Sequence, residues 1–175
     1  SGEVWDSTAL IVASAARVGT TTVYSNSGTA ATGTVHVHAL PSDADTFIIG
    51  LTGFTKTATF KTTLTPANDE ILIQGTVADQ AEAIASWITD SAQGSMVDGT
   101  DWVGAGATPA AANTQVTASV SGTDVTITDL IKCERQLAWA TVASNTASLS
   151  VSTMSGGIDG TLIGTIPIAG LSLSV

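Results

Sequence analysis

Charge is what this chain has least of. Only 11% of its 175 residues are Asp, Glu, Lys or Arg, less than half the quarter usual in a globular domain. The bases number 5, Arg17, Lys56, Lys61, Lys132 and Arg135. They are too few and too scattered to neutralise a run of phosphates, which argues against a nucleic-acid partner. Against them stand 15 acids, for a net charge of −10, a balance that favours solubility and repulsion from DNA and anionic membrane. Cysteine occurs once, as Cys133, so an intrachain disulfide is excluded. In LIKCERQLAW that thiol reads as a small buried hydrophobe, with an intermolecular disulfide or a reactive thiol as the sharper alternatives. No apolar run approaches the roughly 18 residues of a membrane-spanning helix. The opening SGEVWDSTAL also lacks the basic n-region of a signal peptide.

The gaps in charge are not evenly spread. From Gln136 to Val175 the one formal charge is Asp159, and between Ser7 and Ser42 it is Arg17. Val, Ile, Leu, Thr and Ser fill those stretches, and many of them favour pleated, half-buried surfaces. Exposed strands without charge pair with other chains, so both ends are expected to be buried against other copies or another partner. The tail LIGTIPIAGLSLSV would bring Leu162, Ile163, Ile166, Ile168, Leu171, Leu173 and Val175 to such a contact by strand addition. Pro167 would interrupt its ladder once.

Along the chain, TTTVYSN, TVHVHAL, DTFIIGLTGF, KTATFKTTL and EILIQGT read as strands. VTASV-SGTD-VTIT reads as a hairpin, and LAWATVASNTASLSVSTM as one or two strands more. In KTATFKTTL, Ala58, Phe60 and Thr62 alternate with Thr57, Thr59 and Lys61. One helix is expected at about 77–90. Thr76 caps it, Asp79 completes a box-like start, Val77, Ala81, Ile84 and Ile88 form an apolar face, and Gly94 is the stop. Asp79, Gln80, Glu82 and Ser86 would cover much of the remainder. The loop GSMVDGTDWVGAGATPAAANT is long enough to be functional or interfacial, or to hide a strand. The fold class is therefore α+β, mainly β: a β-sandwich or barrel-like domain with one packed helix and extended N- and C-terminal arms. Its segments are an N-terminal arm with strands (1–44), a core (45–161) and a C-terminal arm (162–175).

Few residues are arranged for chemistry. His36 and His38 sit two apart on a strand, so both imidazoles share a face about 7 Å apart, and they are weak metal candidates that need a third ligand. The pairs Asp43/Asp45, Asp69/Glu70 and Asp98/Asp101 lack the calcium-loop pattern and read as turn stabilisers. There is no GxSxG, P-loop, dinucleotide fingerprint or HExxH, and no cofactor is implied. Of the tryptophans, Trp87 and Trp139 read as core. Trp5 in the arm and Trp102 in the long loop read as interface anchors, or as a sugar platform.

From about Asp45 to Thr161 the order FKTTLTPANDEILI, ADQAEAIASWI, VTASVSGTDVTIT, SGGIDGT resembles a recurrent module of tailed-bacteriophage structural proteins. In that module a TFKTTL-like strand and an NEVLIG-like strand precede a short helix. A VTAxxSGxxVTVT hairpin and a GGVDG-like turn follow. The likeness covers about two thirds of the chain. It departs at LIKCERQLAW, where such proteins often carry a Gly/Asn-rich loop. The resemblance carries over no catalytic residues. It implies a non-enzymatic virion component with arms bridging neighbours, its partners being copies of itself and the major capsid protein or other virion proteins. The acidic balance favours capsid decoration at the head surface. A tail-tube or tail-associated protein is the nearest alternative, and an extracellular filament or surface-layer subunit is the next.

Overall fold

The computed structural model describes residues 11–12, 20–24, 28–51, 54–65, 69–104, 116–130, 140–158 and 162–167. In chain order, the first five strands are β1 (Ile11–Val12), β2 (Thr20–Tyr24), β3 (Thr32–Val37), β4 (Thr46–Leu51) and β5 (Phe54–Lys61). Next come β6 (Glu70–Leu72), the helix α1 (Val77–Thr89), β7 (Trp102–Val103) and β8 (Val116–Ser121). The last are β9 (Asp124–Asp129), β10 (Ala140–Ala143), β11 (Leu149–Val151) and β12 (Leu162–Pro167). Among the described residues the molecule is mainly β with one helix. Its strands form a five-stranded sheet β10-β4-β5-β6-β7, a four-stranded sheet β11-β3-β9-β8 and a three-stranded sheet β1-β2-β12.

Period-2 patterning sets which face of each strand is buried. In β3, Val35 and Val37 are buried, as are Val125 and Ile127 in β9 and Val116 and Ala118 in β8. The β8–β9 hairpin turns through Gly122 and Thr123, with Ser121 opposite Asp124. Gly122 has φ +63, a conformation suited to a tight hairpin turn and awkward for a side chain. Gly33 serves a different need: a Cβ there would stand 2.8 Å from Met154 Cγ and 3.2 Å from the Ser152 carbonyl. Its absence lets residues 152–155 cross β3 closely enough for Thr32 and Ser155 to exchange backbone hydrogen bonds at 2.9 Å.

The two larger sheets meet at a corner. The chain leaves β3 for β4 through residues 38–45 and returns from β10 to β11 through 144–148. The two crossings run side by side: His38 N donates to Ser148 O at 2.8 Å, Ser144 N to Thr46 O at 2.9 Å, and Ser148 Oγ to Leu40 O at 3.2 Å. Asp45 pins the corner by accepting from Ser42 N at 2.7 Å and from Asn145 Nδ2 at 2.9 Å. Ala44 takes a left-handed conformation there, φ 71. The pair β5–β6 is parallel, with Thr59 opposite Glu70. Parallel neighbours ordinarily need a long crossover. Here residues 62–69 make the connection, with no helix among those described, because β6 has 3 residues and starts level with Thr59, so the chain has to step back only a short way along β5.

The helix starts as its sequence predicts: Thr76 Oγ1 accepts from Asp79 N at 3.1 Å and donates to Asp79 Oδ2 at 2.8 Å. It ends earlier than the Gly94 stop, at Asp90, whose left-handed φ of 48 turns its N–H onto Ser86 O. Its burial also departs from a single apolar face. It packs on β3, β8 and β9 of one sheet and β6 and β7 of the other, and Gln80 and Ser86, expected on the solvent side, are each 0% exposed. Small Ala81, Ala83, Ala85 and Ser86 side chains let strands approach from several directions. The buried polar groups are paired: Gln80 Oε1 accepts from Gln74 N at 2.9 Å, and Ser86 Oγ donates to Glu82 O at 2.8 Å and accepts from Gln93 N at 2.9 Å. Trp87 meets Phe47 edge to face at 5.9 Å and donates from Nε1 to Asp69 at 3.1 Å. Among the residues whose burial is described, the core begins at Ala31, inside the segment grouped by sequence with the N-terminal arm, because β3 is an inner strand between β9 and β11.

Candidate functional site

The two charge-poor ends come together in the β1-β2-β12 sheet. β12 runs antiparallel to β2, from Leu162 opposite Tyr24 to Pro167 opposite Thr20, with a register shift between Leu162 and Gly164. Leu162, Ile163 and Ile166 of the expected interface therefore lie on a strand that pairs with the N-terminal arm of its own chain. Pro167, opposite Thr20, is the last described residue of this ladder, so the expected interruption falls at the border of the described residues. Ile168, Leu171, Leu173, Val175, Trp5, Cys133 and Trp139 lie outside the described residues. Among the described residues β1 and β12 are the outer strands of this sheet, and neither β1, β2 nor β12 contains a charged residue.

Other features of the same kind lie on the four-stranded sheet. Among the described strands β8 ends the order, next to β9, and it carries neither Lys nor Pro, the residues that commonly protect an edge. At the start of β3, Ile158 is 61% and Leu130 51% exposed. They flank one short segment, since Ile158 bridges to Thr29 and Asp129 N donates to Ala31 O at 2.9 Å.

Trp102 does not lie on an open loop. It forms β7 opposite Ile71 and is 1% exposed within the core. The long loop does hide a strand, and the indole face expected for a partner or a sugar is covered by the protein itself. The acidic pairs act in turns only in part. Glu70 accepts from Thr65 N at 2.5 Å and Asp101 from Val97 N at 2.8 Å, whereas Asp43 accepts from the distant Thr62 N at 3.0 Å and Asp69 from the Trp87 indole.

Sequence patterning missed the buried charge pair. Lys56 is 8% exposed; its Nζ donates to Asp90 Oδ1 and to the Trp87 carbonyl, both at 2.5 Å, and lies 4.6 Å from the centre of the Trp87 ring. A cation thus meets the last carbonyls of α1, where the helix dipole is negative, and ties the helix end to β5. Burial pushes the Asp90 carboxyl above its ordinary value, and the Lys56 hydrogen bond and charge pull it back only in part. The signal was available: Lys56 is in phase with Ala58 and Phe60, both 0% exposed.

His36 and His38 do share the outer face of the four-stranded sheet, with ring centres 4.3 Å apart and planes tilted by 59°. His36 Nδ1 is bonded to Asp124 Oδ1 on β9, and His38 Nε2 lies 2.8 Å from Ser150 Oγ on β11. Among the described residues no group of three or more His, Cys, Asp or Glu side chains is placed to hold a metal ion, and no helix is long and apolar enough to cross a membrane.

No family model, curated protein or solved structure matches the chain.

Proposed function

We propose that this chain is a non-enzymatic structural protein of a tailed-bacteriophage virion, a capsid decoration subunit that assembles on the head surface through its strand edges and arms. The observation that carries the reading is the β1-β2-β12 sheet, built from both ends of the chain and, among the described residues, free of charge and bounded by outer strands. Such a ribbon is suited to backbone pairing with another copy or with a capsid protein. The motif order from FKTTLTPANDEILI to SGGIDGT supports the phage assignment. The uncovered Ile158 and Leu130 add apolar surface for neighbours. A net charge of −10 suits an outward-facing protein better than one that lines packaged DNA.

The test is mass photometry of the purified chain beside negative-stain electron microscopy, with and without phage heads stripped of surface proteins. Discrete small oligomers or monomers that decorate the heads are expected. Stacked rings would make it a tail-tube protein, and spontaneous long fibres a filament subunit; either would overturn the decoration reading.

A further inference from the structure

We propose that His36 and His38 form a surface chelate for a divalent transition-metal ion, with Cu2+ favoured over Ni2+ and Zn2+. Residues two apart on β3 project to the same side, and here the rings approach to 4.3 Å between centres. A metal–imidazole bond is about 2.0–2.1 Å, which puts each ring centre about 3.2 Å from a shared ion. Two rings at right angles around the ion would then have centres about 4.5 Å apart, and two at the tetrahedral angle about 5.2 Å. Ring centres 4.3 Å apart let both rings approach one ion, and the general affinity order of nitrogen sites for divalent first-row metals places Cu2+ above Ni2+ and Zn2+.

Neighbouring strands have already fixed one nitrogen on each ring. The Asp124 carboxylate holds His36 Nδ1, which favours a proton there and leaves Nε2 with its lone pair. A carboxylate behind the ring is the usual support for a ligating histidine, orienting it and raising its basicity. The Ser150 hydroxyl holds His38 Nε2 at 2.8 Å, leaving Nδ1 for the ion. The side chains of His36 and Asp124 are 39% and 48% exposed and His38 is exposed, so water can complete the coordination shell. A closed four-ligand zinc site is a different object: among the described residues no further side chain is placed to complete one, so water supplies the third and later ligands of this two-nitrogen surface chelate.

The experiment uses the full chain carrying Cys133→Ser, so that no thiol competes, in equilibrium dialysis against CuCl2, NiCl2 and ZnCl2. Electron paramagnetic resonance of the copper form then reports its nitrogen ligands. One Cu2+ per chain is expected, held more tightly than Ni2+ or Zn2+, with two nitrogen ligands in the spectrum. His38→Ala and His36→Ala should each weaken binding at least tenfold, and Asp124→Asn by about tenfold or more through loss of the supporting carboxylate. Circular dichroism establishes that each variant remains folded; His38 is exposed, so its replacement leaves the core intact. Equal copper binding by the His36→Ala/His38→Ala chain would overturn the proposal. So would a spectrum with no nitrogen ligands, or retention by the parent no greater than by the double variant.

Discussion

At Lys56 the chain puts a charge where its sheet pattern calls for an apolar side chain. The fold accommodates it by bringing a carboxylate, a helix-terminal carbonyl and an indole face to one ammonium. Removing one member of a buried pair leaves the other without compensation. Lys56→Ala should therefore cost about 3–5 kcal/mol of unfolding free energy, measured by urea denaturation. The paired replacement Lys56→Met/Asp90→Asn should cost much less. Asp90 also gives stability a pH dependence of unusual sign. Its native carboxyl is raised, chiefly by burial, so between its ordinary and its native value the folded state holds more protons than the unfolded one. Its contribution is thus fully present below that window, declines as pH rises through it, and is level above. The unfolding free energy of the parent minus that of Asp90→Asn should fall as pH rises from about 3 to 7; a difference independent of pH would refute the assignment. Lys56 could be placed from sequence only by extending the alternation of Ala58 and Phe60 one step back. Asp90 as its partner could not, because 34 residues separate them.

Among the elements, those specified locally were legible. Thr76 and Asp79 are three residues apart and mark the start of α1. SGTD between two alternating runs marks the β8–β9 hairpin. What escaped depends on contacts with distant segments. β7 has 2 residues, too few for any period, and exists because β6 offers Ile71 opposite Trp102. An Asp- and Gly-rich surrounding made that tryptophan read as exposed, whereas its ring was needed in the core. The polar side of α1 was misjudged for a related reason: a hydrophobic pattern does not reveal that sheets lie on more than one side. β12 yields a direct prediction. Its backbone pairs with β2 and with neither larger sheet, so deleting residues 162–175 should leave a cooperatively unfolding core while shifting mass-photometry counts from assemblies to monomers. Unchanged assemblies would show that the arm sheet does not carry the contact.

For the whole molecule, fold class followed from composition and alternation, while topology did not. Nothing in TVHVHAL says that its partners are Asp124–Thr128 on one side and Leu149–Val151 on the other. The candidate assembly surface was legible as an absence of charge, yet its pairing within one chain was not, because the two ends are far apart in sequence. That same remoteness governs how the protein is made. β3 is completed early, but its second neighbour, β11, ends 114 residues later, from Val37 to Val151. At about 5–20 residues per second the ribosome needs about 6–23 s to supply it. During that interval a Val-containing strand without Asp, Glu, Lys or Arg emerges with one or both flanks open, and the β8–β9 hairpin, local and quick to close, reaches it first. The order of synthesis therefore makes the newborn chain vulnerable to premature association with its siblings, and gives a chaperone a defined segment to guard.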